Sequence, residues 1–122
     1  MKSEVGGLLN VHKPIGITSR DVVNHVTRSF RKTKIGHAGT LDPIASGVLV
    51  LCVGSSTRLI EYVQRMAKTY RATVRLGAVS DTLDADGIVT EVVTPPVPEL
   101  GAVRAYLATQ IGQILQLPPK FS

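Results

Sequence analysis

Gly36-His37-Ala38-Gly39-Thr40-Leu41-Asp42-Pro43-Ile44-Ala45-Ser46-Gly47-Val48-Leu49 is the stretch from which the rest of the chain is read. Its chemistry centres on one carboxylate, Asp42. Gly36 and Gly39 precede it and Gly47 follows, so the backbone here takes turns that residues with a Cβ resist. Pro43 drives Asp42 out of the helical region toward an extended conformation, which puts the carboxylate on a stiff loop. The loop leads into Val48-Leu49-Val50-Leu51-Cys52-Val53, a short apolar run that reads as a buried strand. A fixed carboxylate at the start of a buried strand suits a nucleophile or a base. Asp-Pro and glycine are equally at home in a plain turn, and spacing alone does not separate the two readings.

Upstream of this window, Leu8-Leu9-Asn10-Val11 is an apolar segment between Gly6-Gly7 and Lys13-Pro14 and reads as a short strand. In Lys13-Pro14-Ile15-Gly16-Ile17-Thr18-Ser19, Pro14 and Gly16 make a turn, and Thr18 or Ser19 caps the next helix. That helix runs from residue 19 to about 30, with Val22, Val23, Val26 and Phe30 on one face. Residues 28–34 then form a basic approach to the central window.

Downstream, Gly54-Ser55-Ser56-Thr57-Arg58 opens a second helix striped with Leu59, Ile60, Val63 and Met66. A glycine-serine turn at such a start either binds phosphate or simply caps the helix, and capping is the reading adopted. Residues 68–76 alternate, with Tyr70, Ala72, Val74 and Leu76 on one face and Arg71, Thr73 and Arg75 on the other, which predicts a half-buried strand. Asp81, Asp84 and Asp86 do not make a calcium loop, because Thr82 and Val93 stand where acids are needed, so this is a polar turn between strands. A strand over 88–93, a stiff Pro-rich connector over 94–98, a helix over 99–111 with Leu100, Val103, Leu107 and Ile111 inward, and a strand over 113–117 complete the chain. The order strand–helix–strand–helix–strand–strand–helix–strand predicts an α+β domain built on a mixed sheet flanked by helices.

A chain of 122 residues, 43% of them hydrophobic, suffices for one domain with a modest core. No apolar run approaches the ~20 residues of a membrane span, and no signal peptide is visible, so a cytoplasmic setting is expected. Cys52 is the single cysteine, which rules out an internal disulfide and reads as an inert core residue. The net charge of +5 is unevenly spread: residues 1–41 carry seven basic and two acidic side chains, whereas the remaining 81 carry seven of each. A basic excess just before the Asp42 loop suits a polyanion such as nucleic acid. A solvated helix end has the same composition.

Taken whole, the window over 36–49 closely resembles the active-site motif of the TruB-type pseudouridine synthases, G-H-x-G-T-L-D-P-x-A-[ST]-G-V-L. Residues 13–19 resemble a second motif of that family, K-P-x-G-x-T-S, and Lys68-x-Tyr70 a third, K-x-Y. His12 departs from the Asp or Asn more usual there. Residues 117–122 resemble the start of a motif that runs on into an alanine and a lysine, so the chain stops inside it. The resemblance covers residues 7–122 and implies the N-terminal part of a pseudouridine synthase catalytic domain. The rest of that domain, with an arginine that pairs with the catalytic Asp, and a C-terminal RNA-binding domain would lie beyond residue 122.

The resemblance implies isomerisation of uridine to pseudouridine in RNA, the T-loop uridine at position 55 of tRNA being the usual bacterial target. It implies tRNA as partner, no cofactor, no metal, no membrane, and a monomer at full length. Asp42 would be the essential catalytic residue, acting at C6 or at C1′. Tyr70 would stack on the flipped base and is a candidate for proton transfer, and His37 would fill the space the base leaves. Gly39, Thr40 and Leu41 would line the substrate site. Lys13, Arg31, Lys32 and Lys34 would hold backbone phosphates, and the 81–87 segment would add a minor contact. Three rivals stand beside this reading. They are a dyskerin-type, guide-RNA-dependent synthase, a non-catalytic RNA-binding fragment, and an unstable inactive remnant. On its own the span 1–122 is expected to be inactive and marginally folded, because sheet edges and the carboxylate's charge partner would be missing.

Overall fold

Strand β3 (Gly47–Val53) is the centre of a three-stranded antiparallel sheet. On one side it pairs with β1 (Gly7–Lys13) along its whole length, from Gly7 opposite Val53 to Lys13 opposite Gly47. On the other it pairs with the short β2 (Ile35–His37), with Ile35 opposite Val53 and His37 opposite Leu51. This computed structural model describes residues 5–30, 32–92 and 97–117, which form two compact units divided between Tyr70 and Arg71.

In the first unit the period of two along β1 and β3 turns Leu9, Val11, Leu49 and Leu51 to one face, where helix α1 (Ser19–Thr27) covers them with Val22 and Val23. Leu51 is completely buried and Leu49 nearly so, and Val26, Ile35 and Leu41 pack at the margin. Full burial of a Val or Leu side chain is worth about 1.5–3 kcal/mol relative to exposure, so this small cluster is the main apolar anchor of the unit. Cys52 is wholly buried, and desolvation pushes its thiol up, away from the reactive thiolate. On the opposite face Ile60 lies against Gly36, where a Cβ would stand 2.7 Å from Ile60 Cδ1.

Thr18 caps α1 with a capping box. Its Oγ1 accepts from Asp21 N at 3.1 Å, and the Asp21 carboxylate accepts from Thr18 N at 2.9 Å and from Thr18 Oγ1 at 2.6 Å. These bonds from Thr18 hold the Asp21 carboxyl below its ordinary range. A depressed folded pKa means that its stabilisation is complete above the ordinary carboxylate range and is lost as pH falls below that range through the lower folded value. Thermal unfolding of wild type and Asp21→Asn is therefore expected to differ at pH 7 and to converge in acid, below the ordinary carboxylate range. A constant gap would show that the cap does not depend on charge.

After β3 the chain enters a 3-10 helix (Gly54–Leu59) and the five-residue helix α2 (Ile60–Gln64). The serine cap expected here does not form: no side chain caps either start, and Thr57 Oγ1 instead donates to Gly54 O at 2.9 Å. Gly54 has φ +61, and a Cβ there would meet Val5 O at 2.3 Å, while its N–H donates to Lys34 O at 2.8 Å. Gly54→Ala is expected to destabilise the protein by more than about 1 kcal/mol, read as a lower denaturant midpoint, because strain and overlap act together.

The second unit holds a two-stranded antiparallel hairpin, β4 (Ala78–Ser80) with β5 (Val89–Glu91), and helix α3 (Leu100–Ala108). Its acidic turn closes on itself. Asp81 Oδ1 accepts from Ile88 N at 2.7 Å, and Asp84 Oδ1 accepts from Thr82 Oγ1 at 2.6 Å and Asp86 N at 2.9 Å. The bond from Thr82 holds the Asp84 carboxyl low.

The α+β class expected from the sequence is found, with four corrections among the described residues. Every strand pair is antiparallel, so the sheets are not mixed. Residues 68–76 and 113–117 form no strand, because a strand exists only with a ladder partner and none pairs with them. Leu100, Leu107 and Ile111 are exposed rather than inward. Two three-residue strands, β2 with glycine at its middle and β4 inside the stretch read as a polar turn, are too short to show alternation and are not in the sequence reading. Residues 1–4, 31, 93–96 and 118–122 lie outside the described set, and with them Arg31 and the proline connector.

Candidate active site and nucleic-acid interface

The Asp42 loop joins the end of β2 to the start of β3. Ala38 N still donates to Val50 O at 2.8 Å, and then the chain leaves the sheet at Gly39, whose φ of +118 is a conformation that side chains resist. His37 donates from Nδ1 to Gly39 O at 2.6 Å. A carbonyl only accepts, so Nδ1 carries the hydrogen and ties the imidazole to this turn. After Asp42, the turn over 42–45 is closed by Ala45 N donating to Asp42 O at 3.0 Å, with Pro43 at the position where its fixed φ is favoured.

The 13–19 segment turns out to be the brace of this loop. Gly16, at φ +92, donates its N–H to Pro43 O at 2.8 Å. Ser19, almost fully buried, accepts from Leu41 N at 2.9 Å and donates to Leu41 O at 3.1 Å. Lys13 has no exposed surface, and its Nζ donates to Pro14 O at 2.9 Å and Ile17 O at 2.7 Å, stitching the turn closed from inside. This placement corrects the expectation of a phosphate contact at Lys13, since an ammonium spent on two internal carbonyls and sealed from water does not face a ligand. The backbone is thus held on both sides of Asp42. The carboxylate itself is exposed and has no hydrogen bond or ion pair among the described residues.

Leu41 contributes to the core margin, Gly39 is partly buried, and Thr40 is exposed on the loop. Tyr70 is 68% exposed, and no hydrogen bond joins it to the loop among the described residues. Its motif partner Lys68 passes beside Gly39. A Cβ at Gly39 would lie 3.7 Å from Lys68 Cε, and Lys68 Nζ donates to Gln64 O and, at 3.3 Å, to Met66 O. The lysine thus satisfies carbonyls at the end of α2 while its stem runs beside Gly39.

At the far end of the β2–β3 pair lies a cavity of about 450 Å³. Lys32, Lys34 and Arg58 line it together with the hydroxyl residues Ser55 and Thr57, and among the described residues no acidic side chain does. Lys32 holds φ +61, which turns the chain into β2. At ~3.3 Å per residue the seven residues of β3 separate this cavity from the Asp42 loop by about 20 Å. Sequence reading takes the two lysines as phosphate contacts and weighs phosphate binding at the 54–58 turn but adopts capping there; the β2–β3 pairing brings Arg58, Ser55 and Thr57 to the lysines. Gly16 and Ser19 were likewise read as turn and cap residues rather than as supports of the loop. No helix among the described residues is long and apolar enough to cross a membrane.

The family model described as TruB family pseudouridylate synthase (N terminal domain) matches residues 27–122. A protein from Clostridium acetobutylicum named tRNA pseudouridine synthase B is 45% identical over 116 residues, covering 95% of this chain and 40% of the relative. Proteins of the same name from Deinococcus deserti and Synechocystis are 46% and 47% identical, over 94% and 95% of this chain and 37% and 39% of their own lengths. The chain thus spans about two fifths of the length of these curated relatives. With most of its residues matched by that family model, the chain belongs to the TruB family of pseudouridylate synthases.

Proposed function

We propose that the full-length protein carrying this chain converts uridine to pseudouridine in tRNA, with the T-loop uridine at position 55 as target and Asp42 as the catalytic carboxylate. The observation that carries this reading is the Asp42 loop, whose backbone is pinned on either side while the carboxylate is exposed and unpaired among the described residues. Residues 1–122 are then the N-terminal part of the catalytic domain, and its pseudouridine synthase fold is the larger architecture to which both units contribute.

The reaction breaks the bond from ribose C1′ to uracil N1, rotates the base, joins C1′ to C5 and releases the C5 hydrogen as a proton, while N1 takes up a proton from solvent. A base in folded RNA must first be extruded. A carboxylate held by its backbone rather than by its own hydrogen bonds stays open to C1′ or C6, where a nucleophile or an electrostatic partner is required. His37, fixed to the turn through Nδ1, offers an imidazole face beside the loop. Gly39, Thr40 and Leu41 shape the wall. Tyr70, exposed and free of hydrogen bonds to the loop among the described residues, stacks on the extruded base. Lys32 and Lys34, joined by Arg58, hold phosphates some 20 Å (about six strand residues) from the reacting nucleotide.

The test uses the full-length gene product and tRNA labelled with tritium at C5 of uridine. Tritium release that disappears when the T-loop uridine is replaced supports the proposal. Binding without release would leave a non-catalytic RNA-binding protein instead.

A further inference from the structure

We propose that Ser19 is a positioning residue for Asp42, acting through the backbone of Leu41; this rests on the assignment of Asp42 above. The helix does not need the Ser19 hydroxyl, because Thr18 caps α1 and Asp21 completes the capping box. Ser19 is nonetheless 3% exposed, and its Oγ reaches 22 residues along the chain to bind both polar groups of Leu41. It accepts from Leu41 N at 2.9 Å and donates to Leu41 O at 3.1 Å.

Leu41 N and Leu41 O belong to successive peptide planes, and the second of these planes includes Asp42 N. A group that holds both planes fixes the direction in which the Asp42 Cα–Cβ bond leaves the chain. Gly16 N on Pro43 O supplies the matching restraint on the far side. The carboxylate has no hydrogen bond of its own among the described residues, so its aim is inherited from these backbone contacts. A hydroxyl suits the position because it donates and accepts at once; alanine does neither, and a thiol does both weakly.

The experiment compares wild type, Ser19→Ala, Ser19→Cys and Ser19→Thr at full length, measuring kcat and KM for tritium release together with thermal midpoints. Misplacement of a catalytic group by about 1 Å costs on the order of a hundredfold. Ser19→Ala is accordingly expected to lower kcat by tenfold or more with KM changed less than twofold, Ser19→Cys to fall between, and Ser19→Thr, which keeps the hydroxyl, to recover most of the loss. If the alanine form does not fold, Ser19→Cys carries the comparison against Ser19→Thr. A lowered midpoint with wild-type kcat in every folded variant would overturn the positioning role and make Ser19 a fold-stabilising residue only. Absence of release from wild type would instead remove the functional assignment on which the proposal rests.

Discussion

Asp42→Asn is expected to abolish tritium release from C5-labelled tRNA, with a loss of at least about a thousandfold, on the scale found when a preorganised charged or hydrogen-bonding group is removed from a catalytic site. The substitution keeps the size of the side chain, and the loop has no bond to the carboxylate that asparagine would break: Ser19, Gly16 and Ala45 all hold backbone atoms. Folding and RNA affinity should therefore survive, which makes the variant a clean probe of chemistry. Equal thermal midpoints and equal binding of unmodified tRNA, with release lost, are the expected result. Release at the wild-type rate would exclude Asp42 as the catalytic carboxylate and return the loop to an ordinary turn.

The second large effect concerns RNA affinity. Replacing Lys32, Lys34 and Arg58 together removes the three cations that line one cavity. Each phosphate neutralised contributes about 0.7–0.9 to the slope of log affinity against log salt, so the triple variant should flatten that slope by about two to three units and weaken binding most at low salt. The cavity is about 20 Å from Asp42 on strand geometry, so the lost contacts serve ground state and transition state alike. KM should rise while kcat stays close to wild type. Lys32 allows a finer separation. Its φ of +61 strains any residue with a Cβ, so Lys32→Gly should hold or raise stability while still weakening RNA binding. Unchanged slope in the triple variant would show that the cavity faces away from RNA.

Much of the first unit was legible in the residues themselves. The apolar run into β3, the apolar segment of β1 bounded by Gly6-Gly7 and Lys13-Pro14, and the cap at Thr18 or Ser19 are local signals, and local signals act wherever the chain goes. The same holds for the stiff Asp42 loop, since proline and glycine restrict or free the backbone without help from distant residues. What depended on partners could not be read in this way. Alternation over 68–76 describes a strand only if another strand pairs with it, and the apolar stripe of α3 describes a buried face only if something covers it.

Basic residue counts, likewise, do not distinguish a buried lysine from an exposed one. Lys13 is sealed inside its turn, whereas Lys32 and Lys34 line an open cavity with an arginine some two dozen positions away in the chain. By itself the sequence determined which carboxylate stands on a rigid loop and where the principal strand and helix lie. Only the tertiary structure decided that Ser19 and Gly16 hold that loop and that Arg58 joins the lysines, because hydrogen bonds and cavities are made by residues far apart in sequence whose meeting is set by strand register.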